Sequence, residues 1–216
     1  MKVYDSFGPN PRALRMFLLE KNVDLPKITI DLMGAENRQA PYTDKNPGGQ
    51  VPALELDDGR VLGETVAIFE YLEEKYPHPP LIGRTAEERA ETRMWQRRVE
   101  LRITEPLYNG FRFAEGVDLF RTRMRVLPEA ADGLKATARD NLAWLDGLLQ
   151  GKRFIAGDRF TMADIILYCA LDFGASVGQP LDGVLSNLAT WKQTVASRPS
   201  AAGSLHPMSA AKGMNG

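Results

Sequence analysis

The chain of 216 residues contains one cysteine and two histidines. A single cysteine excludes an intrachain disulfide and any C-x-x-C redox or zinc pair, and it suits a reducing compartment. His78 and His206 both precede prolines in loop-like sequence, where a nucleophile–histidine pair or a zinc site is hard to assemble. Long hydrophobic runs are missing as well. No stretch reaches the ~18 apolar residues of a membrane span, and Met-Lys-Val-Tyr-Asp-Ser opens the chain without a signal-peptide core. Charge of either sign is not in excess, with 27 basic residues against 28 acidic ones, so no overall field favours nucleic acid or an anionic membrane. These shortages predict a cytoplasmic protein without a metal site, nucleic-acid partner or membrane partner, and with little nucleophilic chemistry of its own.

What is present is core material. Hydrophobic residues make up 44% of the chain, enough for one large domain or two small ones. The first third alternates element types. Lys2–Asp5 reads as a strand. Gly8-Pro9-Asn10-Pro11 breaks it before Ala13, Leu14, Phe17 and Leu18 fall at helical spacing, with Asn10 expected as the N-cap and Pro11 at the first helical position. Residues 28–32 alternate like a strand, 53–56 and 60–62 flank Asp57-Asp58-Gly59 as a hairpin, and 64–76 return to helical period. The order strand, helix, strand, helix, strand, strand, helix implies a sheet with a parallel crossover and a terminal hairpin.

Pro77-His78-Pro79-Pro80 cannot continue a helix and marks a boundary. The expected organisation is an α/β domain over 1–78, a linker over 79–85 and an all-α domain over 86–216. Within the latter, 87–113 forms one long helix kinked at Pro106, and 134–149, 162–173 and 185–195 supply others. Thr161 and Asp164 form an acidic capping box, with Phe160 and Ile165 as its hydrophobic staple. The tail from Ser200 to Gly216 has no sustained periodicity and is expected to hug the surface or fray.

One constellation carries chemistry. Pro52 follows Val51 at the entry to a strand, where a cis bond would turn the Val51 backbone outward to pair with an extended peptide. Glu64-Thr65 opens a helix twelve residues on, so a hydroxyl and a positive helix end converge there. Together they describe a carboxylate site beside a peptide-binding edge. The plainer alternative is that Pro52 ends a loop and Thr65 caps a helix.

These residues resemble the cytosolic glutathione S-transferases. The matching pieces are Lys2-Val3-Tyr4, Arg12-Ala13-Leu14-Arg15-Met16, Asn46-Pro47-Gly48-Gly49-Gln50-Val51-Pro52-Ala53-Leu54, Glu64-Thr65 and Thr161-x-x-Asp164, in the family's order along nearly the whole chain. The resemblance implies a thioredoxin-like first domain, a helical second domain, glutathione as co-substrate, small hydrophobic electrophiles as acceptors, and a homodimer. By position it assigns Val51, before a cis-Pro52, to the cysteinyl backbone and Glu64 and Thr65 to the γ-glutamyl amine and carboxylate. Gln50 and Asn37 fall to the glycine end, with Asn37 standing where several classes have a basic residue.

The activating residue departs from the family pattern. Gly8 stands where theta-like and delta-like classes have serine, no cysteine lies in the segment, and Tyr4 matches the tyrosine position of the alpha, mu and pi type, although a tyrosine in this strand is common in bacterial members without that role. Asn10 matches a nu-like asparagine, Ser6 ends the first strand, and Gly8-Pro9-Asn10-Pro11 looks like the loop of yeast-type atypical transferases. The expectation is a thiolate stabilised by helix-terminus donors, the N–H groups of Gly8, Asn10 and Arg12 with positive potential from Arg12, and Asn10 or Ser6 as the assisting catalytic side chain. The competing readings are a helix cap for Asn10 and a turn serine for Ser6. Tyr108, Phe111 and Phe113 are candidate walls of the electrophile site or ordinary core. A glutathione-dependent disulfide or peroxide reductase and a non-catalytic binding or regulatory protein are the alternative functions. Gln50, Glu64 and Thr65 argue against the latter, and the missing Ser-Ser-Cys run argues against a zeta-type isomerase. Cys169, inside an apolar helix, reads as a buried structural thiol.

Overall fold

A computed structural model describes residues 1–216. The first half runs β1 (Lys2–Asp5), α1 (Pro9–Glu20), β2 (Lys27–Thr29), a 3-10 turn (Glu36–Arg38), α2 (Tyr42–Lys45), β3 (Ala53–Glu55), β4 (Val61–Leu62) and α3 (Thr65–Lys75). The strands lie in the order β2-β1-β3-β4. β1 and β2 are parallel, with Tyr4 opposite Ile28, because α1 carries the chain back across the sheet. β1 pairs antiparallel with β3 at Tyr4 and Ala53, and β3 with β4 at Leu54 and Leu62, so the hairpin is present as expected. Gly59 supplies its positive φ of 84°. This is the thioredoxin-like arrangement, and α1 and α3 cover one sheet face through the stacked rings of Phe17 and Phe69 at 4.2 Å.

The second half is helical: α4 (Ala86–Val99), a π-helical segment (Glu100–Thr104), α5 (Glu105–Arg112), α6 (Val117–Phe120), a 3-10 turn (Pro128–Ala130), α7 (Ala131–Leu148), α8 (Met162–Ser176), α9 (Ser186–Ala196), α10 (Pro199–Gly203) and α11 (Ser209–Lys212). The expected kink at Pro106 is instead a π segment just upstream. A proline lacks the N–H that would bond four residues back and its ring crowds that carbonyl, so the distortion falls on the preceding turn. The tail is ordered rather than frayed. It returns to the first domain, and the Gly216 carbonyl accepts from His206 N (2.9 Å) and Ser209 Oγ (2.6 Å).

Residues 79–85, between α3 and α4, carry no helix or strand. They are clamped, since Glu73 accepts from Leu81 N (3.1 Å) and Ile82 N (2.9 Å) and pairs with buried Lys21. α8 is apolar on every side and buried along nearly its whole length, as a central helix must be. Its N-terminus carries the capping box. Asp164 accepts from Thr161 N (2.9 Å), and its other oxygen takes Ile155 N (2.9 Å) and Trp191 Nε1 (2.8 Å). One carboxylate therefore fixes α8, the preceding turn and α9. Replacing Asp164 by Ala leaves these buried donors unpaired and lowers the unfolding free energy by about 3 kcal/mol or more, measurable by urea denaturation.

Candidate functional site

The site lies where the N-terminus of α1 meets α5. Gly8 precedes α1 with φ 128°, a backbone that a side chain would strain, and the helix starts at Pro9. Asn10 is thus not the N-cap. It sits inside the first turn, its N–H donates to no other residue of the chain, and its side chain is left for the cleft. The Gly8 N–H is also unpaired, but Gly216 presses against it so closely that a Cβ on Gly216 would lie 2.4 Å from the Gly8 nitrogen. The Arg12 N–H is spent on the Gly8 carbonyl at 3.0 Å. Of the three backbone donors expected here, only that of Asn10 is both free and uncrowded.

Two cavities meet at this point, and they share two residues, Asn10 and Tyr108. The polar cavity is bounded by Glu64, Thr65 and Val66 at the start of α3 and by Arg97 and Glu100. Glu64 holds φ 62°, a strained value for a residue with a side chain, and turns the chain into α3. The first intrahelical bond of α3 is Ile68 N to Glu64 O at 3.1 Å, which leaves the first-turn N–H groups and the positive helix end toward the cavity. Burial raises the pKa of Glu100 above the ordinary carboxylate value, against the opposing pull of Arg97.

The second cavity is largely apolar and includes Val51, Gln50 and Asn37 along the first domain and Phe111, Phe120 and Phe173 along the second. The Val51-Pro52 bond is cis, and neither the N–H nor the C=O of Val51 bonds within the chain. Gln50 is exposed at the rim, its carbonyl held by Tyr42 Oη (2.5 Å) and Asn46 Nδ2 (2.8 Å). Buried Asn37 donates to Gly49 O at 2.6 Å, while its Oδ1 has no partner. The Tyr108 ring is buried, and burial holds its phenol pKa well above the ordinary value, so the hydroxyl stays protonated as a neutral donor.

The model of the glutathione S-transferase N-terminal domain matches residues 7–75, and that of the C-terminal domain matches residues 125–199. Glutathione S-transferase 2 of Saccharomyces cerevisiae is 31% identical, over 93% of this chain and 87% of that protein. The chain belongs to the glutathione S-transferase family. The crystal structure of Gtt2 from Saccharomyces cerevisiae superposes with a TM-score of 0.89 at 31% identity, covering 95% of this chain and all of that one. A maleylacetoacetate isomerase of Pseudomonas aeruginosa is 32% identical over 82% of this chain and 84% of its own, so the family's relatives are not all named transferases.

Against this glutathione S-transferase frame, the residues expected from sequence divide. Asn10, Asn37, Gln50, Val51, Glu64, Thr65, Tyr108 and Phe111 all lie in the walls of the paired cavities, and Pro52 sets the Val51 edge. Ser6 does not join them. It is 2% exposed and donates its hydroxyl to Ile30 O at 2.8 Å, a bond to the chain beyond β2 and neither the local turn bond nor a cavity-facing role. Tyr4 faces away, paired with Glu55 and with Lys45 Nζ at 3.0 Å. The Arg12 side chain turns into the domain interface and pairs with Asp172 (2.6 Å), so its charge is answered there. Phe113 is buried and belongs to neither wall. Sequence reasoning missed Phe120, Phe173, Glu100 and the arginines Arg38, Arg112 and Arg123. Only Arg112 had a local signal, being one helical turn from Tyr108 and lying over its ring at 5.7 Å.

Cys169 is fully buried in α8, and burial pushes its pKa up to about 12. The native protein therefore resists thiol-specific alkylation at neutral pH and reacts with one equivalent once unfolded. Mass spectrometry of iodoacetamide-treated native and urea-unfolded protein reads both states.

Proposed function

We propose that the protein is a glutathione transferase, which binds glutathione across the two cavities, holds its thiol as thiolate and delivers it to an electrophile in the apolar cavity. The supporting observation is that the polar and apolar cavities share only Asn10 and Tyr108. A γ-glutamyl group carries a carboxylate and an ammonium side by side. The α3 N-terminus with the Thr65 hydroxyl suits the first, and Glu64 and Glu100 suit the second. The unpaired N–H and C=O of Val51 suit the cysteinyl backbone, as an added strand would. A tripeptide held at both places carries its sulfur to the junction where Asn10 and Tyr108 face it.

The energetics of that junction are sufficient. A free thiol has pKa ~8.5, and lowering it by two units takes about 2.7 kcal/mol of preferential thiolate stabilisation. A hydrogen bond to a charged group contributes roughly 1.5–3 kcal/mol. Two donors therefore supply what is required, from the Asn10 amide or N–H and the Tyr108 hydroxyl. The thiol proton passes to solvent, and the thiolate attacks an electrophile lying against Phe111 and Phe173. A homodimer belongs to the same reading, with the exposed Met94 and Leu101 around α4 as apolar surface for it.

Calorimetric titration tests the reading. Glutathione binds the wild-type protein at one site per chain, Thr65→Ala weakens that binding about tenfold, and Asn10→Ala lowers kcat/KM for an aryl halide by roughly tenfold to a hundredfold. No heat of binding with glutathione would favour the non-catalytic reading instead.

A further inference from the structure

The apolar cavity carries a charge imbalance that glutathione alone does not answer. Its charged wall residues are Arg38, Arg112 and Arg123, with no carboxylate among its lining residues, in a chain whose net charge is −1. Arg38 and Arg123 come from different domains and make no ion pair within 4.0 Å. Each spends one terminal nitrogen on a backbone carbonyl, Arg38 on Gly48 O and Arg123 on Met33 O, both at 3.3 Å. The Nε of each is buried without a partner. Burial lowers the Arg123 pKa, and the Arg38 charge lowers it further, while Asp31 acts in the opposite sense. Arg112 lies over the rings of Tyr108 and Phe120, each at 5.7 Å, and its carboxylate neighbour is half-exposed Glu105 at 3.9 Å.

Arg112 also donates to Asn109 Oδ1 at 3.0 Å, whereas the buried, unpaired Nε–H donors of Arg38 and Arg123 are costly unless an anion or another acceptor completes them. On the reading above, glutathione brings one carboxylate here, the glycinyl one, to the corner formed by Asn37, Arg38 and Gln50. Arg112 and Arg123 remain beside the aromatic wall, where Phe111 meets Phe173 edge to face at 5.2 Å and Phe120 at 6.1 Å. We propose that the acceptor is an aromatic electrophile bearing its own acidic group, with its ring against Phe111, Phe120 and Phe173 and its anion held by Arg112 and Arg123. The proposal rests on glutathione occupying the site. With chlorodinitrobenzoate as the probe acceptor, the thiolate sulfur bonds to the ring carbon that carries chlorine. The carbon–chlorine bond then breaks, and chloride leaves with the bonding pair.

The test is calorimetric and needs no turnover. Three ligands are titrated: glutathione, its S-dinitrophenyl conjugate, and the same conjugate with a ring carboxylate. The wild-type protein is expected to bind the carboxylated conjugate at least about tenfold more tightly than the uncharged one, with the preference shrinking as salt is raised. In the Arg112→Gln/Arg123→Gln double variant that ratio falls to near one, and binding of the uncharged conjugate reports that the variant is folded. Arg38→Gln weakens all three ligands together and keeps the ratio. Equal binding of the two conjugates by wild type, or a ratio that survives the double substitution, would overturn the proposal. So would Arg123→Gln weakening glutathione itself as much as the carboxylated conjugate, since Arg123 would then serve the glycinyl end. If none of the three ligands binds, the glutathione reading fails and the acceptor assignment falls with it.

Discussion

The buried Arg12 guanidinium is the contact on which the site's geometry depends. It leaves the first turn of α1 and enters the second domain, where it meets Asp172 (2.6 Å), Ala201 O (3.1 Å) and Ser204 Oγ (3.4 Å) at 1% exposure. A charge so deeply buried is tolerable only when its donors are matched, and a planar guanidinium can match three acceptors from two helices and a turn at once. Arg15, one turn later, bonds Asp5 (2.6 Å) and Ser204 O (2.8 Å), but its Nη2 is buried without a partner. The consequence is positional. Asn10 belongs to α1 and Tyr108 to α5, and they border common cavities because α1 is riveted to α8 rather than resting on it.

That rivet explains a trade within the first helical turn. Arg12 follows Asn10 by two residues, yet it lines neither cavity and its charge is committed to Asp172. Pro9 and Pro11 have no N–H, Gly8 is crowded by Gly216, and the Arg12 N–H closes the helix. What is left where the cavities meet is neutral: one asparagine and one phenol kept protonated by burial. The positive charge that the first turn withholds stands instead in Arg38, Arg112 and Arg123 around the apolar cavity.

Much of the fold was legible because its determinants are local. The breakers around 8–11, the Asp57-Asp58-Gly59 turn and the Thr161–Asp164 box each act within a few residues, and the corresponding elements are present. The placement of Val51 and of Glu64-Thr65 in the cavity walls was legible for a similar reason, since Val51-Pro52 and Glu64-Thr65 are short motifs with local backbone roles. What the sequence left open has a different cause. Ser6 was resolved by an acceptor on Ile30, Arg12 by a carboxylate on Asp172, and the tail by a seat against Gly8, all partners that spacing along the chain does not disclose. Arg38 and Arg123 become a pair only when the two domains close on each other. Pro106 announced a distortion, but whether it would be a kink or a π segment depended on packing against α7 and α8.

The central claim is that Asn10 and Tyr108 hold the sulfur of bound glutathione as a thiolate. Ultraviolet difference titration of the bound thiol, in the wild-type protein and in an Asn10→Ala/Tyr108→Phe double variant, measures this directly. The wild type is predicted to show a thiolate pKa at least about one unit below the ~8.5 of a free thiol, and the double variant a return toward the free value. A bound thiol that titrates like free glutathione in the wild type, or a lowered pKa that survives both substitutions, would contradict the account.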